Sequence, residues 1–527
     1  MKSSDLLIKC LENEGVKLIF GVPGEETLDI LESLRSSSIQ FITTRGEQAA
    51  AFMAATCGRL TGRAGVVLTT LGPGATNLAT GLAYANLGGF PLVAITGQKP
   101  IKQTKQGRFQ QVNIVRLAEP ITKMSRRIES AEKIPVLVSR AFRHAETERP
   151  GAVLLEIPED IARDSTGIAP IPSHRLPITP PHPSVIREAG DIIRSSRLSI
   201  IIIGADAKRW NIENELSAFI GQTHFPFITT PLGKGAVAET HPNFLGTAAT
   251  TDGELIHDEL KAADAIIAVG HTTFEKPPCI PNNARQRIIH INTTPSEISH
   301  IYQPTVEVVG DVACSLRDLA RALENFQRDA NPFEVFANFQ KTEDNDTGSA
   351  YPFKPEQIAR ALQKTFHKES IIALDNGLYK LALAKVFRAL WAHHLLLDNT
   401  LATMGAGLPS AIAAKIVHPD RKVIALCGDG GFMMNSQELE TARRLGLDLL
   451  VIVLNDNAFG MIRVKQSAMG FPEFGLKYGN PDFVKYAESY GARGYRLSEG
   501  DDLADTMAKL VQEPGITLLE IPIEYSN

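Results

Sequence analysis

The chain has 527 residues, 43% of them hydrophobic and 21% charged, with a formal net charge of -5. That length implies about three or four domains with an ample core, and the charge balance lacks the basic excess that nucleic acid or an anionic membrane surface selects. No apolar run could span a bilayer, residues 1–4 lead into an amphipathic helix without a signal-peptide pattern, and Cys10, Cys57, Cys279, Cys314 and Cys427 are scattered without CxxC spacing, which argues against disulfides and zinc and for the cytoplasm.

Residues 6–14 have helical spacing, 16–20 read as a strand, and Phe20-Gly21-Val22-Pro23-Gly24 turns at its exit. Thr44-Arg45-Gly46-Glu47-Gln48 then opens an alanine-rich helix. Glu47 in the first turn suits the helix dipole, but a carboxyl placed among Ala49, Ala50, Phe52 and Met53 would also be desolvated, its pKa raised toward proton-sharing. A strand at 65–70 runs into Leu71-Gly72-Pro73-Gly74-Ala75-Thr76-Asn77, glycines before a helix as in anion-binding loops, yet with neither GK[ST] nor GxGxxG. Residues 91–98 form the next strand, and Phe109-Gln110-Gln111 follows on a polar loop.

The proline-rich stretch 166–184 reads as an extended linker after a first domain, 1–165. Strands at 199–203, 265–269, 288–291 and 306–309 alternate with helical stretches in a central α/β domain, 185–330. Within it Gly204-Ala205-Asp206-Ala207 is a fragment of a dinucleotide fingerprint, and Lys234 between two glycines lacks a P-loop's hydroxyl residue, so a structural role is the better reading. A polar linker at 331–355 leads to a last domain, 356–527.

The last domain repeats the first. Each begins with a helix, a strand and a glycine turn, and Pro150-Gly151-Ala152-Val153-Leu154-Leu155-Glu156-Ile157-Pro158 recurs as Pro514-Gly515-Ile516-Thr517-Leu518-Leu519-Glu520-Ile521-Pro522. The expected architecture is therefore α/β, three doubly wound parallel-sheet domains, the first and third alike and the middle Rossmann-like. In the third, strands at 422–427 and 448–454 exit at Gly428-Asp429-Gly430-Gly431 and Asn455-Asp456-Asn457, with a helix at 436–445 between them. Open parallel sheets place ligands at such exits. Two carboxylates meeting there need a proton or a cation, and Mg²⁺ takes one or two carboxylates with phosphate oxygens; either turn alone could equally be a plain tight turn. Met53, Met433 and Met434 read as core filler, and His393 and His394 as ordinary surface residues.

These motifs resemble the thiamine diphosphate enzymes, and over essentially the whole chain the acetolactate synthases. The resemblance implies Mg²⁺ on Asp429, Asp456 and the Ala458 carbonyl, and cofactor contacts from Pro23, Gly72, Gly74, Asn77, Gly377, Tyr379, Ala402, Thr403, Met404, Asp429, Gly430, Gly431, Asp456, Phe459, Gly460 and Met461. Met404 falls on the wedge that bends the cofactor, Glu47 on the glutamate that contacts its aminopyrimidine, and Gln110 on an active-site glutamine. The implied reaction is decarboxylation of pyruvate and ligation to a second pyruvate, giving 2-acetolactate; decarboxylation or carboligation of another 2-oxo acid or with an aldehyde acceptor is the alternative. Gly21 to Gly24, the run Ile521-Pro522-Ile523-Glu524-Tyr525-Ser526 and the Asn455-Asp456 pair resemble the catabolic branch, which uses no FAD, and Lys465 stands where the biosynthetic enzymes carry a tryptophan that selects 2-oxobutyrate, which implies pyruvate as both donor and acceptor. Family sites join two subunits, so a homodimer or dimer of dimers is implied, while a regulatory subunit is left open. Glu25, Glu26, Gly46 and Phe109 depart from the family pattern, and Glu26 facing the acceptor would repel pyruvate. A nicotinamide oxidoreductase would need a GxGxxG that is absent, and a pseudoenzyme or regulatory subunit would follow if Glu47 lay elsewhere.

Overall fold

Short apolar runs rich in Ile, Val and Leu, bounded by glycine, proline or polar turns, make strands that are buried on both faces, as parallel sheets covered by helices require. In the computed structural model, which describes residues 1–102, 107–248, 260–275, 286–299, 302–324, 326, 351–366 and 370–525, they assemble into three six-stranded sheets. The first contains β1 (Leu18–Gly21), β2 (Gln40–Thr43), β3 (Gly65–Thr69), β4 (Leu92–Gln98), β5 (Met124–Arg127) and β6 (Ala152–Pro158). The second contains β7 (Ser199–Ile203), β8 (Phe227–Thr229), β9 (Phe244–Thr247), β10 (Ala265–Val269), β11 (Arg287–Asn292) and β12 (Val306–Val309). The third contains β13 (Ser370–Leu374), β14 (Leu395–Leu396), β15 (Lys422–Gly428), β16 (Leu449–Asn455), β17 (Arg493–Arg496) and β18 (Ile516–Pro522).

Within the sheets every pairing is parallel. The first runs β2-β1-β3-β4-β6-β5 and the third β14-β13-β15-β16-β18-β17, the same winding strand for strand. The repeated nonapeptides are β6 and β18, each fifth in its sheet, in register with β4 and β16 up to their closing prolines. The middle sheet runs β12-β11-β10-β7-β8-β9.

The first and third sheets share one apolar core. The helix Glu47–Thr61 lies against the helix Gly407–Val417, so Phe52 and Met53 belong to one buried cluster with Leu408, Ile412 and Val451, and Thr56 Oγ1 donates to Ser410 Oγ at 3.0 Å. The middle sheet meets the third through Lys234 and Glu239, an ion pair of 2.8 Å buried almost completely, whose carboxylate also accepts the Ala389 N–H at 2.7 Å. That is the structural role expected of Lys234.

Several details differ from the sequence reading. His394 is fully buried, its ring 4.9 Å from that of Phe387, because it immediately precedes β14 and its carbonyl accepts the Ile372 N–H of β13; His393 is half-buried. Met433 and Met434 are exposed at 37% and 48%, since the helix Asp429–Asn435 turns that face outward; only Met53 is core. Pro183 and Ser184 open the helix Pro183–Ser195 instead of ending a linker, and the helix expected at 436–445 spans Glu438–Arg444. Residues 331–350 lie outside the described residues. Among those described, no helix is long and apolar enough to cross a membrane.

Candidate active site

A doubly wound sheet opens a crevice beyond its carboxyl ends where the winding reverses. In the third sheet that point lies between β13 and β15, and the turns that leave them are Asp375-Asn376-Gly377 and Gly428-Asp429-Gly430-Gly431. A cleft of about 280 Å³ opens there. Of the residues singled out in the sequence, Gly377, Tyr379, Ala402, Met404, Asp429, Gly430, Gly431, Asp456, Ala458, Phe459, Gly460 and Met461 line it. Thr403 stands just behind, its carbonyl accepting from Asn376 Nδ2 at 2.7 Å. Tyr379 acts mainly as a strut: its ring is buried and its hydroxyl accepts the Gly428 N–H at 2.8 Å.

Glycines make the cleft. A methyl on Gly431 would stand 2.7 Å from Asp375 Oδ2, and one on Gly430 2.7 Å from the Tyr478 hydroxyl and 3.3 Å from Met404 Cε. Asp375 is itself buried, accepts the N–H groups of Asn376 and Gly405, and has its pKa pushed up to about 6 by desolvation, which those bonds only partly offset.

Asp429 and Asp456 face one another electrostatically but are bonded differently. Asp429 Oδ1 accepts from Gly430 N at 2.8 Å and Tyr478 Oη at 3.0 Å, and its Oδ2 from Asn457 N at 2.9 Å and Asn480 Nδ2 at 2.7 Å. Asp456 Oδ2 is buried and accepts no hydrogen bond among the described residues; Arg463 Nη1 approaches to 3.7 Å. Burial first and the Asp429 charge second push the Asp456 carboxyl up to about 6. Among the described residues no cluster of three or more His, Cys, Asp or Glu side chains stands at metal-ligating spacing, so a metal here would rest on these two carboxylates and the Ala458 carbonyl, which now accepts from Tyr478 Oη at 3.3 Å.

The remaining candidates gather at the matching crevice of the first sheet, between β1 and β3. Asn77 Nδ2 donates to Glu47 Oε2 at 3.0 Å, a methyl on Gly74 would meet Glu47 Oε1 at 3.4 Å, and one on Gly72 would meet the Gln110 carbonyl at 2.8 Å. Pro23 and Gln110 are exposed at its rim. Glu47 is half-buried, not enclosed among the apolar side chains expected around it, because Ala49, Ala50, Phe52 and Met53 point into the core while the carboxylate sits at the helix start. No residue of this group lines the 280 Å³ cleft.

Three segments of the chain match family models of thiamine pyrophosphate enzymes: the N-terminal TPP binding domain over residues 1–117, the central domain over 186–319 and the C-terminal TPP binding domain over 375–521. The chain is 31% identical over 534 residues to a catabolic acetolactate synthase of Raoultella terrigena, covering 99% of this chain and 95% of that one. It is 30% identical over 540 residues to an acetolactate synthase of Bacillus subtilis (strain 168), covering 100% and 94%. The chain belongs to the acetolactate synthase family of thiamine pyrophosphate enzymes. A protein of Methanocaldococcus jannaschii named a probable acetolactate synthase large subunit is 33% identical over 550 residues, covering 99% of this chain and 92% of its own.

Within this family fold, sequence reasoning missed Tyr478 and Tyr525 in the cleft, and Asn480, which donates to Asp429. Tyr478 and Asn480 lie beyond the helix Gly460–Ala468, on a return segment with no periodicity to announce it. Backbone strain gives a second signal that only coordinates reveal. Of five non-glycine residues with positive φ among those described, Gln110 (57°), Ala402 (54°) and Asn457 (53°) flank the two crevices.

The departure at Glu26 resolves differently from the sequence expectation. Glu26 is buried and paired with Lys99 Nζ at 2.5 Å, and Thr70 Oγ1 donates to its other oxygen. Burial alone would raise its pKa, but the Lys99 and Thr70 hydrogen bonds bring it below the ordinary carboxylate value. The unpaired charge that would repel pyruvate is therefore not what this wall presents.

Proposed function

We propose that the chain is an acetolactate synthase that decarboxylates pyruvate on thiamine diphosphate and ligates the two-carbon unit to a second pyruvate, giving 2-acetolactate and CO₂. The observation that carries this reading is the Asp429–Asp456 pair at the mouth of a glycine-lined cleft, with one buried carboxylate oxygen lacking a donor. A divalent cation supplies what that oxygen lacks, and the third-sheet turns fit a diphosphate because the added methyls described above would close the space. Asp429, Asp456 and the Ala458 carbonyl would hold Mg²⁺, with Gly377, Ala402, Thr403, Gly430, Gly431, Phe459, Gly460 and Met461 around the cofactor's phosphate end. Met404, whose methyl reaches the Gly430 turn, would brace the cofactor from below. When bound, thiamine diphosphate supplies the carbanion stabilisation that loss of CO₂ from a 2-oxo acid needs.

The chain's own residues position and exchange protons. Glu47, held by Asn77, would place its carboxyl at the cofactor's far ring to exchange a proton there, and Gln110 would offer an amide to the reacting carbons; Pro23, Gly72 and Gly74 would let them approach. None of these lines the third-sheet cleft of the same chain, which supports a site completed by a second copy in a homodimer or dimer of dimers. We read the middle sheet as holding no flavin. The turn after β7, Gly204-Ala205-Asp206-Ala207, has only a fragment of a dinucleotide fingerprint, with no second glycine at the required place.

The test is a panel of 2-oxo acids with thiamine diphosphate and Mg²⁺, products identified by mass. The reading expects 2-acetolactate from pyruvate alone, and Glu47→Gln to lose at least 100-fold in CO₂ release while still binding the cofactor, on the scale typical of a proton-transfer group. A wild type that releases CO₂ only from another 2-oxo acid, or a Glu47→Gln variant with full activity, would overturn it.

A further inference from the structure

Between Glu47 and the Gln110 loop stand Thr70, Glu26 and Lys99, which hydrogen-bond to one another and which the roles above leave unused. The methyl that Gly74 lacks would stand 2.9 Å from Thr70 Cγ2 and 3.4 Å from Glu47 Oε1. Thr70 Oγ1 donates to Glu26 Oε2, Glu26 Oε1 accepts from Lys99 Nζ at 2.5 Å, and Lys99 Nζ lies 6.0 Å from the centroid of the Phe109 ring. Phe109, at 62% exposure, and Gln110 carry the loop over Gly72.

The local sequence explains why the pair forms. Lys99 is the first residue past β4, and Glu26 sits in the short turn Glu25–Thr27 after β1, so the two strand exits aim them at one another. Both side chains are about 5% exposed. Charges so placed are screened little by salt, and removing one partner leaves the other uncompensated.

We propose that Glu26 and Lys99 form a charge-balanced pair that decides which acceptors the enzyme takes: the neutral pair admits a carboxylate-bearing acceptor beside Gln110, and loss of the lysine cation turns preference toward uncharged aldehydes. The two are specificity-determining positioning residues. The proposal rests on the carboligase reading, and it explains how a chain with glutamate at this wall can accept pyruvate. Direct capture of the acceptor carboxylate by Lys99 is the competing arrangement. The 2.5 Å bond to Glu26 disfavours it, because the ammonium's charge is already matched.

The experiment supplies pyruvate and propanal together to the holoenzyme and measures the ratio of 2-acetolactate to 3-hydroxypentan-2-one by mass, with total CO₂ alongside. Both products come from one pool of active enzyme, so the ratio is independent of how much of each variant folds. Lys99→Met should lower the ratio by about tenfold or more, and Lys99→Met with Glu26→Gln should return it to within about twofold of wild type. The melting temperature of the cofactor-free protein should follow the same pattern, falling in the single variant and recovering in the double. Glu26→Gln alone, which keeps hydrogen-bonding atoms toward Thr70 and Lys99, should not lower the ratio. An unchanged ratio in Lys99→Met, or a double variant as low as the single, would overturn the proposal. If Lys99→Met does not fold, a lowered ratio in Glu26→Gln overturns it, and recovery by the double variant supports it. A wild type that releases no CO₂ from pyruvate would instead remove the carboligase reading itself.

Discussion

Asp456→Asn offers a sharp test of the two-carboxylate cleft, because its effect on stability reverses the usual expectation for an active-site substitution. The Asp456 carboxyl is raised from its ordinary 3.8 to about 6, chiefly by burial and then by Asp429. Below about pH 4 it is protonated in both folded and unfolded chains, so asparagine changes little. Between about pH 4 and 6 the folded chain holds a proton that the unfolded chain has released, and stability falls as pH rises. Above about 6 both are ionised, and the metal-free fold bears the full cost, about 3 kcal/mol at 1.36 kcal/mol per pH unit. Asparagine keeps an oxygen to accept backbone N–H groups and removes the charge. Metal-free Asp456→Asn should therefore be more stable than wild type at pH 8 by as much as about 3 kcal/mol and equal to it at pH 4. Urea melts in EDTA at the two pH values measure this. Adding Mg²⁺ with thiamine diphosphate should stabilise the wild type far more than the variant, since the cation supplies what the wild-type pair lacks. A variant less stable than wild type at pH 8 without metal, or a gain of equal size at both pH values, would refute the idea that burial and the Asp429 charge together strain the ionised Asp456 carboxyl.

Two further substitutions probe the cleft and its support. Gly431→Ala places a methyl 2.7 Å from Asp375 Oδ2 in the buried floor of the cleft, so affinity for thiamine diphosphate with Mg²⁺, followed by fluorescence titration, should weaken at least tenfold while the far-ultraviolet circular dichroism is unchanged. Lys234→Met strands the buried Glu239 carboxylate and should cost about 3–5 kcal/mol in urea unfolding; a loss under about 1 kcal/mol would show that the pair does not hold the middle sheet to the third.

The parallel sheets were legible because buried strands leave continuous apolar runs, as at 199–203 and 265–269, whose bounds match the structure residue for residue. The glycine and acidic turns were legible because strand exits are where the chain breaks pattern. Side-chain partners were not. Lys99 follows β4 as one lysine among several, and nothing local says that it meets Glu26 across more than seventy residues. Tyr478 and Asn480 were missed for the same reason: their hydrogen bonds to Asp429 reach back about fifty residues through an irregular segment. Met433 and Met434 misled because composition suggests burial, whereas the helix that carries them is only seven residues long and turns them out.

The likeness of the two outer sheets bears on how the site is divided. The third and fourth strands of each order, β3 and β4 in one and β15 and β16 in the other, end at equivalent places. In the third sheet these exits carry Asp429, with four donors, and Asp456, whose buried Oδ2 accepts no hydrogen bond among the described residues and has Arg463 at 3.7 Å. In the first they carry Gly72, Gly74 and Lys99, with Glu47 alongside and Glu26 already matched by Lys99. On the proposed reading one crevice would offer its carboxylates to a metal, and the other would set the half-buried Glu47 carboxyl beside a charge-balanced Glu26–Lys99 pair. A reactant that must be anchored by its phosphates and touched at its far ring needs both, and one chain keeps them in separate crevices. Exposed Met434, Ile462, Met469, Phe471 and Phe474 on the third-sheet side are the apolar side chains that the proposed second copy would cover in bringing its own first-sheet crevice across.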